Sequence, residues 1–182
     1  MMTESAALPI LIPARMQASR LPGKPLADIA GKPMIIHVWE RAMAANIGPV
    51  IVATDAEDIA ATIRAEGGTA VMTDPDLPSG SDRIYEALCH IDPDGQYGSV
   101  INLQGDLPEI DISLLRMLAD MLSQPTWDLV TLAAECSTDE AQLSQIVKAV
   151  IAWQDEQSLG FPVGNALYFS RAAIPDGPAP FW

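Results

Sequence analysis

Three cations and one carboxylate carry the chemistry available to this sequence. Arg15, Arg20 and Lys24 fall within the stretch PARMQASRLPGKP, and they are three of only 10 Lys and Arg residues in a chain of 182. Asp106 follows Gln104 and Gly105 at the end of an apolar run, VINLQGD. Cations clustered beside backbone N–H groups suit a polyphosphate, whose charge must be offset before another anion can approach it. A single hard carboxylate nearby suits Mg2+, which takes one or two carboxylates and completes its octahedron with phosphate oxygens and water. The plainer reading of the first segment is a solvated basic turn. Against it stand Pro22 and Pro25, which fix φ around Lys24, and Gly23, which leaves the backbone open to close approach. For Asp106 the plainer reading is a turn cap.

The elements that must position these residues follow from periodicity. The apolar run Leu8 to Ile12 reads as a buried strand that breaks at Pro13 into a loop carrying Arg15, Ser19, Arg20, Gly23 and Lys24. A buried strand, a loop of small and cationic residues, and a helix is how α/β folds present phosphate sites. Ala27 to Lys32 reads as a turn closed by Gly31. Pro33 opens a helix to about Asn46, with Met34, Ile35, Val38, Met43 and Ile47 inward and His37 given no role. Val50 to Ala53 is the next strand, delivering Thr54 and Asp55, and Asp55 is read as the cap of a helix over Ala56 to Glu66. Thr69 to Met72 is a third strand. Strand, helix, strand, helix, strand implies α/β: a mostly parallel Rossmann-like sheet flanked by helices, with right-handed crossovers.

Thr73 to Arg83, TDPDLPSGSDR, reads as a loop entering a helix that is capped by Ser79 or Ser81 and turns Ile84, Ala87, Leu88 and Ile91 inward. Ser99 to Leu103 is a fourth strand feeding Gln104, Gly105 and Asp106, at the strand end where α/β sheets bind ligands. Ile112 to Leu122 is a helix capped by Asp111. Beyond it, the pattern predicts a strand over Trp127 to Ala134 with Leu129, Val130 and Leu132 buried. It also predicts a helix over Thr138 to Ile146 and strands over Val147 to Trp153 and Ala166 to Phe169. Asp176 to Trp182 is too proline-rich for a regular element. At this length a single domain over 1–182 is expected.

An apolar content of 49% with 19% charged residues fits a folded protein with a sizeable core. The net charge of -14 argues against nucleic acid and anionic membranes as partners, so cations for an anionic substrate must be concentrated locally. Cys89 and Cys136 have no partner at metal-binding spacing and are read as small core residues. MMTESAAL lacks the basic and apolar segments of a secretory signal, and no window reaches membrane-span length. A cytoplasmic location is expected.

Taken together, IPARMQASRLPGKPL, GKPMIIHVWERA, VIVATD and INLQGDLP resemble the sugar-acid cytidylyltransferases, from Leu8 to the end with a looser stretch between Asp139 and Gly164. RLPGKP favours the branch that uses 3-deoxy-manno-octulosonate (Kdo) over the one that uses sialic acid. The resemblance implies a nucleotidyltransferase that joins CTP to a sugar acid with release of pyrophosphate, for lipopolysaccharide synthesis. It implies catalytic roles for Arg15, Lys24 and Asp106, with Asp106 the Mg2+ ligand and Arg20 assisting at the phosphates. Backbone at Ala14, Ser79 and Gly80 would bracket the nucleotide, SGSDR (Ser79, Gly80, Ser81, Arg83) would line the cytosine pocket, and Gln104 would lie near the base or sugar acid.

The pattern departs from relatives at Leu77 and Pro78, where they carry histidine, and at Leu107, where they carry glutamate and where Glu109 is a partial substitute. NALYFSRAAIP resembles a segment near the sugar-acid site, which makes Tyr168 and Arg171 secondary candidates. Relatives continue further, so the chain is expected to lack the family's C-terminal segment, with a second metal-binding aspartate and the interface of a homodimer. The competing readings are another sugar nucleotidyltransferase and a catalytically inactive nucleotide-binding homologue. A Rossmann dehydrogenase is disfavoured, since no GxGxxG follows the first strand.

Overall fold

The computed structural model describes residues 8–16, 23–158 and 160–173. Its contacts divide the chain into two compact units, 1–128 and 129–182.

The first unit is built on a four-stranded parallel sheet. β1 (Ile10–Ala14) lies between β4 (Val50–Thr54) and β6 (Ile101–Asn102), and β5 (Thr69–Met72) pairs with the far edge of β4, giving the order β5-β4-β1-β6. Apolar runs rather than alternating patterns form β1 and β4 because both faces are covered. Ile10, Ile12, Ala14, Val50 and Val52 pack on one face with Ile35, Ile36, Ile59, Ile63 and Leu115. Those five come from α1 (Met34–Ala45), α2 (Glu57–Ala65) and α4 (Ile112–Leu122). Leu11, Ile51 and Ala53 pack on the other face with Ile84 and Ala87 of α3 (Gly80–Ile91). Each buried Val, Leu or Ile side chain among them contributes about 1.5–3 kcal/mol.

Right-handed crossovers explain which helix takes which face. The chain moves from β1 to β4 to β5 in one direction with α1 and α2 on one face, then returns past β1 to β6 with α3 on the other. The direction therefore reverses at β1, and the crevice beyond its carboxyl end is the topological switch point where such sheets bind ligands.

Local differences from the sequence reading have local causes. β1 runs through Pro13 rather than breaking there. Ile101 and Leu103 donate to Pro9 and Leu11, so the odd-numbered residues of β1 face β6, whose paired stretch stops at Asn102. Pro13 thus sits where its missing N–H removes no ladder bond. The expected turn at 27–32 is a small hairpin, β2 (Asp28–Ile29) with β3 (Lys32–Pro33), closed by Ala30 and Gly31 at positive φ. His37 Nε2 lies 2.8 Å from the Ile29 carbonyl, which requires Nε2–H to donate. Met43, expected inward, is exposed, and Ala42 and Ala45 take the inner stripe. Cys89 is exposed and Cys136 half-buried, so neither is a core residue.

The second unit holds a short helix, α5 (Thr138–Ala141), and an antiparallel pair, β7 (Lys148–Ser158) and β8 (Phe161–Ser170). α5 is nucleated by a capping box in which Ser137 and Glu140 satisfy each other's backbone N–H groups. Buried Lys148 donates to the carbonyls of Leu143, Ile146 and Arg171 at 3.0, 2.9 and 2.5 Å, tying the base of the pair to the segment before it. The expected strand over Trp127 to Ala134 does not form, and Leu129 and Leu132 are exposed. β-branched and apolar residues favour a strand only where another strand pairs with it.

Candidate functional site

Three segments meet at the carboxyl end of β1. The first leaves β1 itself. Ala14 is buried at the strand's last position, opposite Thr54, and Arg15 is exposed immediately beyond. Arg20 lies outside the described residues, as does Ser19. Gly23, at φ 72, donates its N–H to the Met16 carbonyl at 3.1 Å and so joins the two ends of the loop. That left-handed backbone favours glycine. A 3-10 turn over Lys24–Leu26 follows, with Pro25 buried and Leu26 and Ala27 donating back to Gly23 and Lys24. The backbone of Lys24 is thereby set, and its side chain projects into the crevice.

The second segment leaves β6. Leu103 is buried and donates to Leu11, and exposed Gln104 donates from Nε2 to Asn102 Oδ1 at 2.8 Å. Gly105 then lies so close to β1 that a Cβ there would stand 2.7 Å from the Pro13 carbonyl oxygen. Only glycine permits this approach, and it brings the next residue across the switch point. Lys24 Nζ meets Asp106 Oδ2 at 2.8 Å, joining residues 82 positions apart. The side chains of Lys24 and Asp106 are 36% and 54% exposed. An ion pair that open to water contributes about 0–1 kcal/mol, so it is exchangeable rather than structural.

The third segment is the start of α3. Ser79 is its N-cap, its Oγ accepting from the Asp82 N–H at 3.2 Å and donating to the Asp82 carboxylate. Gly80 packs on Pro13, where an added Cβ would come within 3.3 Å of the proline ring. Ser79, Gly80 and Ser81 are therefore seated over the end of β1, on the α3 side of the sheet. Ser79 and Ser81 are exposed there, beside backbone N–H groups that a helix start leaves unpaired.

Two residues play a different part from the one their motifs suggested. Asp55 does not cap α2, and the Ala56 N–H bonds instead to Thr54 Oγ1 at 3.2 Å. Its carboxylate is taken by Arg83, whose Nη2 lies 3.0 Å from Asp55 Oδ2 and whose Nη1 donates to Thr73 Oγ1. Arg83 points into the protein rather than lining an open base pocket. Its place on the buried stripe, one turn before Ala87, is the signal in the sequence that it faces inward.

Among the described residues no group of three or more His, Cys, Asp or Glu side chains gathers at a metal-binding site. The donor set at the crevice fits Mg2+ held largely by a substrate's phosphates, since Asp106 offers one hard oxygen in an accessible position. It does not fit a cage made by protein alone. A cavity of about 640 Å³ opens at the opposite, amino-terminal end of the strands, between Leu8, Asn46, Ser99 and Asp120. Arg116 on its wall donates to the carbonyls of Ala44 and Ala45 and closes the end of α1. No helix among the described residues is long and apolar enough to cross a membrane.

The family model described as Cytidylyltransferase matches residues 9–178. The chain is 49% identical to 3-deoxy-manno-octulosonate cytidylyltransferase of Paramagnetospirillum magneticum, over 95% of this chain and 69% of that protein. It is 51% identical to the protein of the same name from Rhodospirillum rubrum, over 98% and 70%. A solved structure titled CMP:2-keto-3-deoxy-manno-octonic acid synthetase complexed with CTP superposes with a TM-score of 0.75 at 41% identity, covering 92% of this chain and 66% of that one. The chain thus spans about two thirds of the length of the relatives it matches. It belongs to the cytidylyltransferase family, among the 3-deoxy-manno-octulosonate cytidylyltransferases.

Proposed function

We propose that this chain transfers CMP from CTP to Kdo, giving CMP-Kdo and pyrophosphate, with the product destined for lipopolysaccharide. The observation that carries this reading is the Lys24–Asp106 contact across the switch point, between the two loops that bear the family's phosphate and metal motifs. The anomeric hydroxyl of the sugar acid attacks the α-phosphorus, the bond to the bridging oxygen of pyrophosphate breaks, and no covalent enzyme intermediate forms. Catalysis is then positioning and charge stabilisation.

Lys24 offsets charge developing on the departing pyrophosphate. Arg15 and Arg20 hold the remaining phosphates, and Asp106 holds Mg2+. When bound, the ion neutralises phosphate oxygens and orients the triphosphate. Lys24 Nζ and Asp106 Oδ2 lie 2.8 Å apart, so the two charges that would serve phosphate and metal face the same point of the crevice. Ser79, Gly80 and Ser81 serve the base through backbone and hydroxyl groups, and Gln104, steadied by Asn102, faces the base or sugar acid. We further assign the protein to the cytoplasm as a homodimer.

The test is pyrophosphate release from CTP and Kdo with Mg2+. Release should require both substrates, fail with ATP or UTP, and fall about a hundredfold in Lys24→Ala. Release that ignores the sugar acid, or survives loss of Lys24, contradicts the reading.

A further inference from the structure

We infer that Arg83 and Asp55 are positioning residues that set the nucleoside half of the site, an inference that rests on the proposed cytidylyltransferase reading. Neither is exposed enough to serve a ligand directly, their side chains being 3% and 11% accessible. What they join is the point. Asp55 follows β4, Thr73 follows β5, and Arg83 lies in the first turn of α3, four residues after the cap Ser79. The Arg83 N–H donates to the Ser79 carbonyl, and the Thr73 N–H extends the ladder to the Thr54 carbonyl. One guanidinium therefore grips the carboxyl ends of two strands with separate nitrogens while its backbone starts the helix that presents Ser79, Gly80 and Ser81.

Stability alone does not account for this pair. Asp55 Oδ1 is buried with no hydrogen-bond partner among the described residues, and a buried ion pair with an unfilled acceptor is a poor substitute for apolar packing. A rigid two-point fork is instead what fixes a loop at one register, and lysine cannot reproduce it. Among the described residues no hydrogen bond joins the Lys24–Asp106 side of the crevice to this cluster. Loosening the cluster should therefore disturb the base end of a nucleotide and spare the phosphate end.

The experiment titrates CTP and inorganic pyrophosphate, each with Mg2+, into the wild type, Arg83→Lys and Thr73→Val. The expected result is a CTP dissociation constant raised about tenfold in Arg83→Lys, and less in Thr73→Val, with pyrophosphate affinity unchanged within about twofold. Thr73→Val removes one acceptor and leaves the ion pair, so it carries the test if Arg83→Lys does not fold. Equal weakening of both ligands would mean a merely structural role and overturn the inference, as would unchanged CTP binding in folded variants. Wild-type protein that binds pyrophosphate but not CTP would instead overturn the reading of the reaction, and the inference with it.

Discussion

Two ion pairs of similar length, 2.8 Å for Lys24–Asp106 and 3.0 Å for Arg83–Asp55, stand at the same end of one sheet and do opposite work. The first joins two loops across the crevice with both side chains substantially open to water. The second joins two strand ends to a helix and is nearly sealed. In water an ion pair is cheap to open, so Lys24 and Asp106 can exchange each other for phosphate and metal. In the interior the desolvation of Asp55 is offset by Arg83, and that of Arg83 by Asp55 and the Thr73 hydroxyl, so the pair cannot part without a large cost. The same chemistry gives an adaptable site above and a fixed support beneath.

Breaking the open pair should have the largest effect on turnover. Asp106→Ala and Lys24→Ala should each lower kcat about a hundredfold or more, while the thermal midpoint stays within about a degree or two of the wild type. A comparable loss of stability would show that the pair is structural after all. Breaking the sealed pair should reverse the pattern. Arg83→Met strands the Asp55 carboxylate and should cost about 3–5 kcal/mol in denaturant unfolding. Adding Asp55→Leu to it removes the stranded charge and should return most of that stability, with CTP affinity still weak. If the double variant regained full affinity, the pair would contribute packing and nothing more.

Gly105→Ala is the sharper intermediate case. Its Cβ would clash with the Pro13 carbonyl, move Asp106 away from Lys24, and reduce turnover while leaving the buried pair untouched. The expected loss is about tenfold to a hundredfold in kcat, read beside an unchanged far-ultraviolet spectrum. The smallest effect belongs to Asp111, which caps α4 and belongs to neither pair. The backbone N–H and hydroxyl of Ser113 hold its carboxyl below the usual carboxylate range. A folded value below the unfolded one means the cap stabilises above about pH 4 and loses that contribution as acid protonates it. Asp111→Ala should therefore lower the thermal midpoint slightly at pH 7, and the gap should close in acid.

What the sequence made legible follows from the range of each interaction. Continuous apolar runs announce strands buried on both faces, and β1, β4 and β5 were readable within a residue or two. Helices with a cap and an apolar stripe were equally clear, α4 with its Asp111 cap among them. The positions of Lys24 and Asp106 at strand-end loops were legible because parallel sheets gather such loops at one edge. Their direct contact depends on how closely Gly105 can pass Pro13, which no local pattern states. The Arg83–Asp55 pair spans 28 positions, and a capping role for Asp55 was the better local inference. Lys148 was hidden for a different reason, since its burial rests on the backbone carbonyls of Leu143, Ile146 and Arg171, and a carbonyl's direction is not written in side-chain type. The failed strand over Trp127 to Ala134 teaches the converse. Side-chain type predicts readiness to pair, and pairing still needs a second strand.

The most direct test of the open pair is a calorimetric titration of CTP into the wild type and Asp106→Asn, each with and without Mg2+. Mg2+ should tighten CTP binding markedly in the wild type and hardly at all in Asp106→Asn, because Asp106 is the carboxylate that would hold the ion. An equal Mg2+ effect in both proteins would contradict it.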